Sequence, residues 1–433
     1  MNWGRQNDWE LTNASCDPEC SDKTGNGSQS RGPTLRARHR QGDEGAPISR
    51  QPMKSRRRVT MVGAFPPPVH GIAATNEAVR DHLAAAGAHT HVINVSAHTL
   101  ARSLPSRFER LPRVVRAVLI LLLGSHRAGD PLYMSLSGGL GQIYEIVFVL
   151  CARLRGLRLY LHHHSFAYLD SPSRVSRLLV LAAGQSAVHI ALSRQMAGRL
   201  SGLYQVRRVV PISNSVFLPR PQPADHADRM GLRTLGFMSN LSPEKGLLVF
   251  LDLAAAVQRI GLPVRASFAG PFQDAGFEAQ ARARLSAIDN VEYVGPKHGE
   301  GKDSYLSNID VLVFPTLYRN EAEPIVIHEA MSRGIPVMAY GRGCIPEVIS
   351  PDSGLVIRPG VAFVPAALAK IQEWIDSPEA YRQASCAATA QFASSVAEST
   401  RFWRLLAEDI LLGTTATPPW QDATTEKPAS WMR

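Results

Sequence analysis

Strand-like runs alternate with helix-length runs along most of this 433-residue chain, and that alternation restricts its fold more than any other feature. In the first half the β-rich runs are Val59–Phe65, His91–Val95, Leu132–Leu136, Leu157–His162, Val188–Ser193 and Arg208–Ile212. Between them lie helix-length segments such as Ala73–Ala86, Leu111–Leu123, Gln142–Leu154 and Arg174–Ala183. Such alternation predicts an α/β fold, with a parallel sheet covered by helices on both faces. A proline-bearing polar stretch, LPRPQPADHADRMGL, follows Phe217, and the pattern then restarts. The new runs are Thr234–Met238, Arg265–Ala269, Val291–Val294, Val311–Phe314 and Pro336–Tyr340, with Leu247–Ile260 the clearest helix. Two Rossmann-like halves facing each other across a cleft are expected, with ligands at the carboxyl ends of strands.

The boundaries that follow are an extension without period over 1–57, a first domain over 58–215 and a linker over 216–232. A second domain then covers 233–396, a C-terminal helix over 397–413 crosses back to the first, and 414–433 is a loose tail. Residues 1–58 are rich in Gly, Ser, Asn, Arg and Asp and are read as disordered. Globular texture begins at Met53, an alternative first residue.

Lys and Arg number 47 against 37 Asp and Glu, a net charge of +10. Residues 1–58 carry eleven of the basic and seven of the acidic residues, so the remaining excess is mild for this length. It suits either phosphorylated ligands or plain solubility. The five cysteines are scattered; Cys16 and Cys20 form one C-x3-C without a second pair, so neither a zinc site nor a disulfide framework is indicated, and the cytoplasm is the default compartment. The most apolar run, Val114–Leu123, is shorter than the ~20 residues a spanning helix needs.

The turns after two strands of the second half carry the chemistry. After Met238, SNLSPEKG puts Lys245 at a helix start, where backbone N–H groups and the helix dipole favour an anion. It suits a diphosphate, and equally a solvated loop lysine. After Phe314 comes PTLYRNEAEPIVIHEAMSRGIPVMAY. Pro324 stands in the first turn of a helix and Gly334 at its end. Glu321 lies in the loop and Glu329 about five residues into the helix. That spacing suits the two ends of an extended polar ligand, and also one loop and one helix glutamate with no shared role.

NEAEPIVIHEAMSRGIPVMA resembles the E-x7-E signature of the GT4-type retaining glycosyltransferases of GT-B fold, matching at Glu321, Pro324, Glu329, Ala330, Met331, Gly334, Pro336 and Val337. SNLSPEKG resembles the family's donor-phosphate loop, PPPVHGIAATN its N-terminal glycine loop, PISNSV the turn before its linker, and GCIPEVISPDSGLVIRPG the segment after the signature. The resemblance covers about residues 58–410. It implies a retaining, metal-independent glycosyltransferase moving a hexosyl or other sugar from a nucleotide-diphosphate sugar, a co-substrate rather than a cofactor. The acceptor would be a glycan or lipid-linked, in cell-surface or exopolysaccharide synthesis. It also implies the roles. Glu329 would hold the ribose, and Glu321 the transferred sugar. Lys245 would hold the diphosphate and stabilise it as it leaves, assisted by Asn240 and by the backbone around Ala322, Glu323, Pro324, Ile325 and Val326. Gly71 would let the N-terminal loop approach the donor. Two positions depart from the pattern: Asn240 where the family has arginine, and Ala322 where it has glycine. A nucleotide-sugar epimerase or hydrolase on this fold, or a weakened partner subunit, is the alternative.

In LYLHHHSFAYLD, three consecutive histidines alternate sides of a strand, so they cannot all line one site, and no carboxylate or cysteine stands at metal-ligand spacing nearby. No metal is expected. By the resemblance, His162 is the first choice for a catalytic histidine facing the cleft, and His164, Pro68 and His70 are acceptor-side candidates. Residues 101–127 carry six arginines and one glutamate beside an apolar helix. They are either a peripheral contact with the inner face of the cell membrane or an ordinary amphipathic surface. Nothing points to nucleic acid.

Overall fold

The computed structural model describes residues 57–67, 71–96, 110–218 and 231–413. Pro68, His70, Cys16, Cys20 and the arginine segment before Arg110 lie outside the described residues, as does most of the linker.

Two six-stranded parallel sheets organise the chain. The first holds β1 (Arg58–Gly63), β2 (His89–Asn94), β3 (Pro131–Leu136), β4 (Arg158–His163), β5 (Val188–Ala191) and β6 (Val209–Pro211), in the order β2-β1-β3-β4-β5-β6. The second holds β7 (Thr234–Met238), β8 (Arg265–Ala269), β9 (Val291–Tyr293), β10 (Val311–Phe314), β11 (Val337–Tyr340) and β12 (Gly354–Ile357), in the order β12-β11-β10-β7-β8-β9. The expected strands stand within two residues of their observed ends. β12 was not among them. It is a four-residue edge strand whose first residue is a glycine, so it offers little apolar texture. That glycine is required, because a Cβ on Gly354 would lie 2.1 Å from the Val337 carbonyl oxygen of β11.

The helices are α1 (Gly71–Ala85), α2 (Leu111–Leu123), α3 (Gly141–Leu154), α4 (Ala167–Asp170), α5 (Arg174–Ala183) and α6 (Arg194–Tyr204) in the first half. In the second they are α7 (Leu247–Arg259), α8 (Ala275–Leu285), α9 (Glu300–Ser307), α10 (Ile325–Met331), α11 (Ile345–Val348), α12 (Phe363–Asp376) and α13 (Pro378–Leu412). Alternating residues of the first sheet feed two cores. Leu132, Met134, Leu159 and Leu161 pack under α2, α3 and α5. Tyr133, Tyr160, Val188 and Ile190 pack on the opposite face, against α1 and the end of α13.

The expected separate helix over 397–413 is the second half of α13, one continuous helix of 35 residues. At 1.5 Å per residue it is about 50 Å long, enough to serve both halves. Tyr381 and Ala384 join the core of the second sheet, while Phe402, Trp403, Leu406 and Ile410 join that of the first. Arg158 pins its end, donating to the carbonyls of Asp409 and Ile410 at 2.8 Å each.

In the loop after β3, the Ser137 amide (2.8 Å) and hydroxyl (2.6 Å) both donate to Glu145 Oε1 of α3. Burial pushes the Glu145 carboxyl up to about 7, against the opposing pull of these two bonds. The folded state thus holds the proton more tightly than the unfolded chain. Stability is fully present below the unfolded value of 4.5 and falls as pH rises through about 7. Denaturant titrations of wild type and Glu145→Gln are expected to diverge over that window, with wild type losing stability relative to the variant as pH rises.

Candidate active site

Parallel sheets bind ligands where the chain reverses its direction of travel across the sheet. In the second sheet that point lies between β7 and β10, which are hydrogen-bonded neighbours. Lys245 follows β7 and Glu321 follows β10, so the topology brings the two loops together. Lys245 ends a single 3-10 turn, Pro243–Lys245, and Gly246 begins α7 behind it. The Lys245 ammonium donates to Glu321 Oε2 at 2.6 Å, and the Thr316 hydroxyl donates to the same oxygen at 3.1 Å. The ammonium also stands 4.6 Å above the Tyr318 ring, where the π face favours a cation. Both side chains are largely buried, so this ion pair is weakly screened.

Close approach of the loops depends on Gly246. Its φ is +91°, and a Cβ there would lie 2.2 Å from the Pro315 carbonyl oxygen. The Leu317 amide then reaches the Glu244 carbonyl at 2.9 Å, tying loop to loop. Gly246→Ala is expected to destabilise the protein by about 2 kcal/mol or more and to raise KM for the donor. Urea unfolding and initial-rate kinetics read the two effects.

Glu329 is the fifth residue of α10. Its Oε1 accepts from Lys302 of α9 at 2.5 Å, while its Oε2 is buried without a hydrogen-bond partner. A buried carboxylate oxygen in that state is ready to accept from a ligand hydroxyl. Pro324 is the N-cap of this seven-residue helix rather than part of its first turn. Gly334 ends the turn beyond it with φ +66°.

Residues 221–391 match the family model described as glycosyl transferases group 1. That span contains both Lys245 and the Glu321–Glu329 motif. Among curated relatives, the D-rhamnosyltransferase WbpZ of Pseudomonas aeruginosa is 31% identical over 160 residues, 36% of this chain and 40% of that protein. The chain spans about two-fifths of the length of the curated relatives it matches. Among solved structures, sucrose-phosphate synthase from Thermosynechococcus elongatus superposes with a TM-score of 0.64 at 18% identity, covering 83% of this chain and all of that one. HepE of Anabaena in complex with UDP superposes with a TM-score of 0.59 at 17% identity, covering 81% of this chain and 100% of that one. The fold is GT-B: two parallel α/β halves, each covered by helices.

Within this group 1 segment, not every expected site residue is free to meet a ligand. At Glu323, expected to assist through its backbone, the side chain is fully engaged within the protein. Its carboxylate accepts from the Asn214 amide at 2.6 Å and pairs with His328 Nε2 at 3.1 Å, while the Asn214 side chain donates to its carbonyl at 3.1 Å. The Glu323 and His328 side chains are 2% and 1% exposed. They hold the signature loop to the end of the first half, and only the backbone of Glu323 is left for a donor. Ala322, where the family pattern has glycine, is buried; its carbonyl accepts from the Cys344 amide at 2.7 Å. Both side chains join an apolar cluster of the first half that includes Phe166 and Tyr168. Ile325 and Val326 are half-buried at the start of α10.

His162 is a correction. It lies within β4, is 1% exposed, and its Nδ1 stands 2.7 Å from the Tyr133 hydroxyl. Burial and the adjacent histidines hold it well below the usual imidazole range. It therefore does not line the cleft as expected. The strand's alternation brings His164 to the same side, with ring centroids 4.1 Å apart, while His163 turns to Tyr168 and His189. Asn240 is half-buried in the loop after β7. Gly71 opens α1, exposed, with no atom within 4 Å of a built Cβ.

Lys302 and His328 carried no signal as site residues, and Glu347 none beyond its place in the segment after the signature. Glu347 caps α6 of the first half: it accepts from the Ser193 hydroxyl and from the Gln195 amide at 3.1 Å. The Glu347 bonds join residues more than a hundred positions apart, and only the expected approach of the two halves hints at them.

Proposed function

We propose that this chain is a retaining glycosyltransferase that moves a sugar from a nucleotide-diphosphate sugar to a glycan or lipid-linked acceptor without a divalent metal. The observation that carries the reading is the Lys245–Glu321 pair at the reversal point of the second sheet, with the unpartnered Glu329 oxygen in the helix that follows. In this reading the donor diphosphate displaces Glu321 from Lys245. The ammonium then stabilises the charge that develops on the leaving nucleotide as the sugar becomes oxocarbenium-like. Glu321, released, accepts from hydroxyls of the transferred sugar, and Glu329 accepts from the ribose. Asn240 brings a hydrogen bond but no charge, so Lys245 carries most of the diphosphate interaction. D-rhamnosyl transfer, the activity of the matching Pseudomonas protein, supports a deoxyhexose or hexose as cargo. The HepE structures, in complex with UDP and with UDP-glucose, support a uridine nucleotide.

A panel of nucleotide sugars incubated with the full chain in EDTA tests this, with product anomers assigned by proton NMR. Transfer with retained configuration is expected. Absence of donor binding sinks the transferase reading, and activity lost in EDTA but restored by a divalent cation sinks its metal-free form.

A further inference from the structure

Helices α2, α3 and α5 lie side by side as the outer layer of the first half. On α2, Val114, Ala117 and Leu121 face the sheet, and a second row, Leu111, Val115, Leu119 and Leu123, is 47–78% exposed. On α3 the exposed row is Ile143, Val147, Leu150 and Leu154, led by Leu140 at the N-cap. Leu178 and Leu181 continue it on α5. Spacings of three and four residues put each row on one helix face. A single exposed leucine needs no explanation, but rows on three adjacent helices form an apolar face of a kind that soluble monomers rarely expose.

On the three helices themselves the exposed charge has one sign. The one acidic side chain on the three helices is Glu145, which is buried and bonded to Ser137. Arg110, Arg116, Arg127, Arg153, Arg174 and Arg177 are exposed on or beside these helices, and among the described residues none of them forms an ion pair. An isologous contact with a second copy of the chain would set this arginine rim against itself. A surface of phosphate headgroups over acyl chains satisfies both features: apolar side chains enter the hydrocarbon boundary and guanidinium groups meet phosphates.

We propose that the α2–α3–α5 face docks on an anionic phospholipid surface, so that the protein lies on a membrane without crossing it. No described helix is long and apolar enough to cross. The face extends well beyond the arginine segment read from the sequence, onto α3 and α5. It also reaches the site. Leu140 adjoins Gly138, where a Cβ would lie 2.3 Å from Asn320 of the signature loop. Resting on the transferase reading, this puts the lip of the site at the lipid surface, where a lipid-carried acceptor would be presented.

Flotation of the full chain with vesicles of phosphatidylcholine alone, or of phosphatidylcholine with phosphatidylglycerol, tests the docking. Wild type is expected to float with the anionic vesicles and to be released by high salt. Combined Leu119→Ser, Leu123→Ser, Leu150→Ser and Leu154→Ser is expected to lower binding by about tenfold or more, as is combined Arg116→Ala, Arg174→Ala and Arg177→Ala. All seven side chains are exposed, so both variants are expected to keep the wild-type circular dichroism and melting. Wild type that stays with the soluble fraction overturns the proposal. So does binding unchanged in either variant, or a dimer in sedimentation that the leucine variant dissolves. Nucleotide-sugar binding by the same variants is expected to be unchanged, which separates failure of the docking from failure of the transferase reading.

Discussion

Glu321→Ala is expected to lower kcat for transfer by about a hundredfold to a thousandfold, the range for removing one preorganised polar contact to a developing charge. Two effects combine. On the proposed reading the transferred sugar loses a hydrogen-bond acceptor, and Lys245 loses the partner that holds its ammonium between the two loops at 2.6 Å. Folding is expected to suffer less, because the freed ammonium remains partly exposed and stands over the Tyr318 ring. Glu321→Gln keeps an oxygen for the Thr316 hydroxyl but loses the charge, and an intermediate rate is expected. Initial rates at saturating donor, set beside thermal melts of the same preparations, check this. A Glu321→Ala protein with wild-type kcat would remove Glu321 from the reaction.

Glu323→Ala is expected to act on the other property, stability, by about 3–5 kcal/mol. The carboxylate is enclosed and serves two partners, the Asn214 amide and His328. Its loss leaves the buried Asn214 amide without its acceptor and His328 Nε2 with only the Ser213 hydroxyl at 3.3 Å. Glu323→Gln preserves one oxygen for the Asn214 amide and is expected to cost about half as much. Urea unfolding monitored by circular dichroism distinguishes the two. A cost below about 1 kcal/mol for the alanine variant would mean that this tie does not hold the halves together. The two glutamates stand two residues apart in one motif. They are expected to separate cleanly, one in rate and the other in stability.

The contrast between Glu321 and Glu323 shows how far the sequence could be read. Strand and helix texture is local: period 2 and period 3.6 are set by neighbours a few residues away. Both sheets and most of their helices were therefore legible, and so was the placing of Lys245 and Glu321 in the loops after β7 and β10. β12 escaped because a four-residue edge strand opening on glycine has almost no pattern. In the site, spacing placed Glu329 in its helix but was silent on Lys302, which approaches from α9.

By itself, then, the sequence determined the α/β class, the doubling of the sheet, and the residues that close the second sheet's reversal point. Only the tertiary structure decided which polar groups face a ligand and which are consumed in holding the halves together. It buried His162 behind Tyr133, turned Glu323 and Glu347 into ties to the first half, and made α13 one helix shared by both cores. It also left apolar rows of α2, α3 and α5 uncovered. The physical reason is the same throughout. Burial and hydrogen-bond partnership are properties of what packs against a residue, and here those neighbours lie tens to hundreds of positions away.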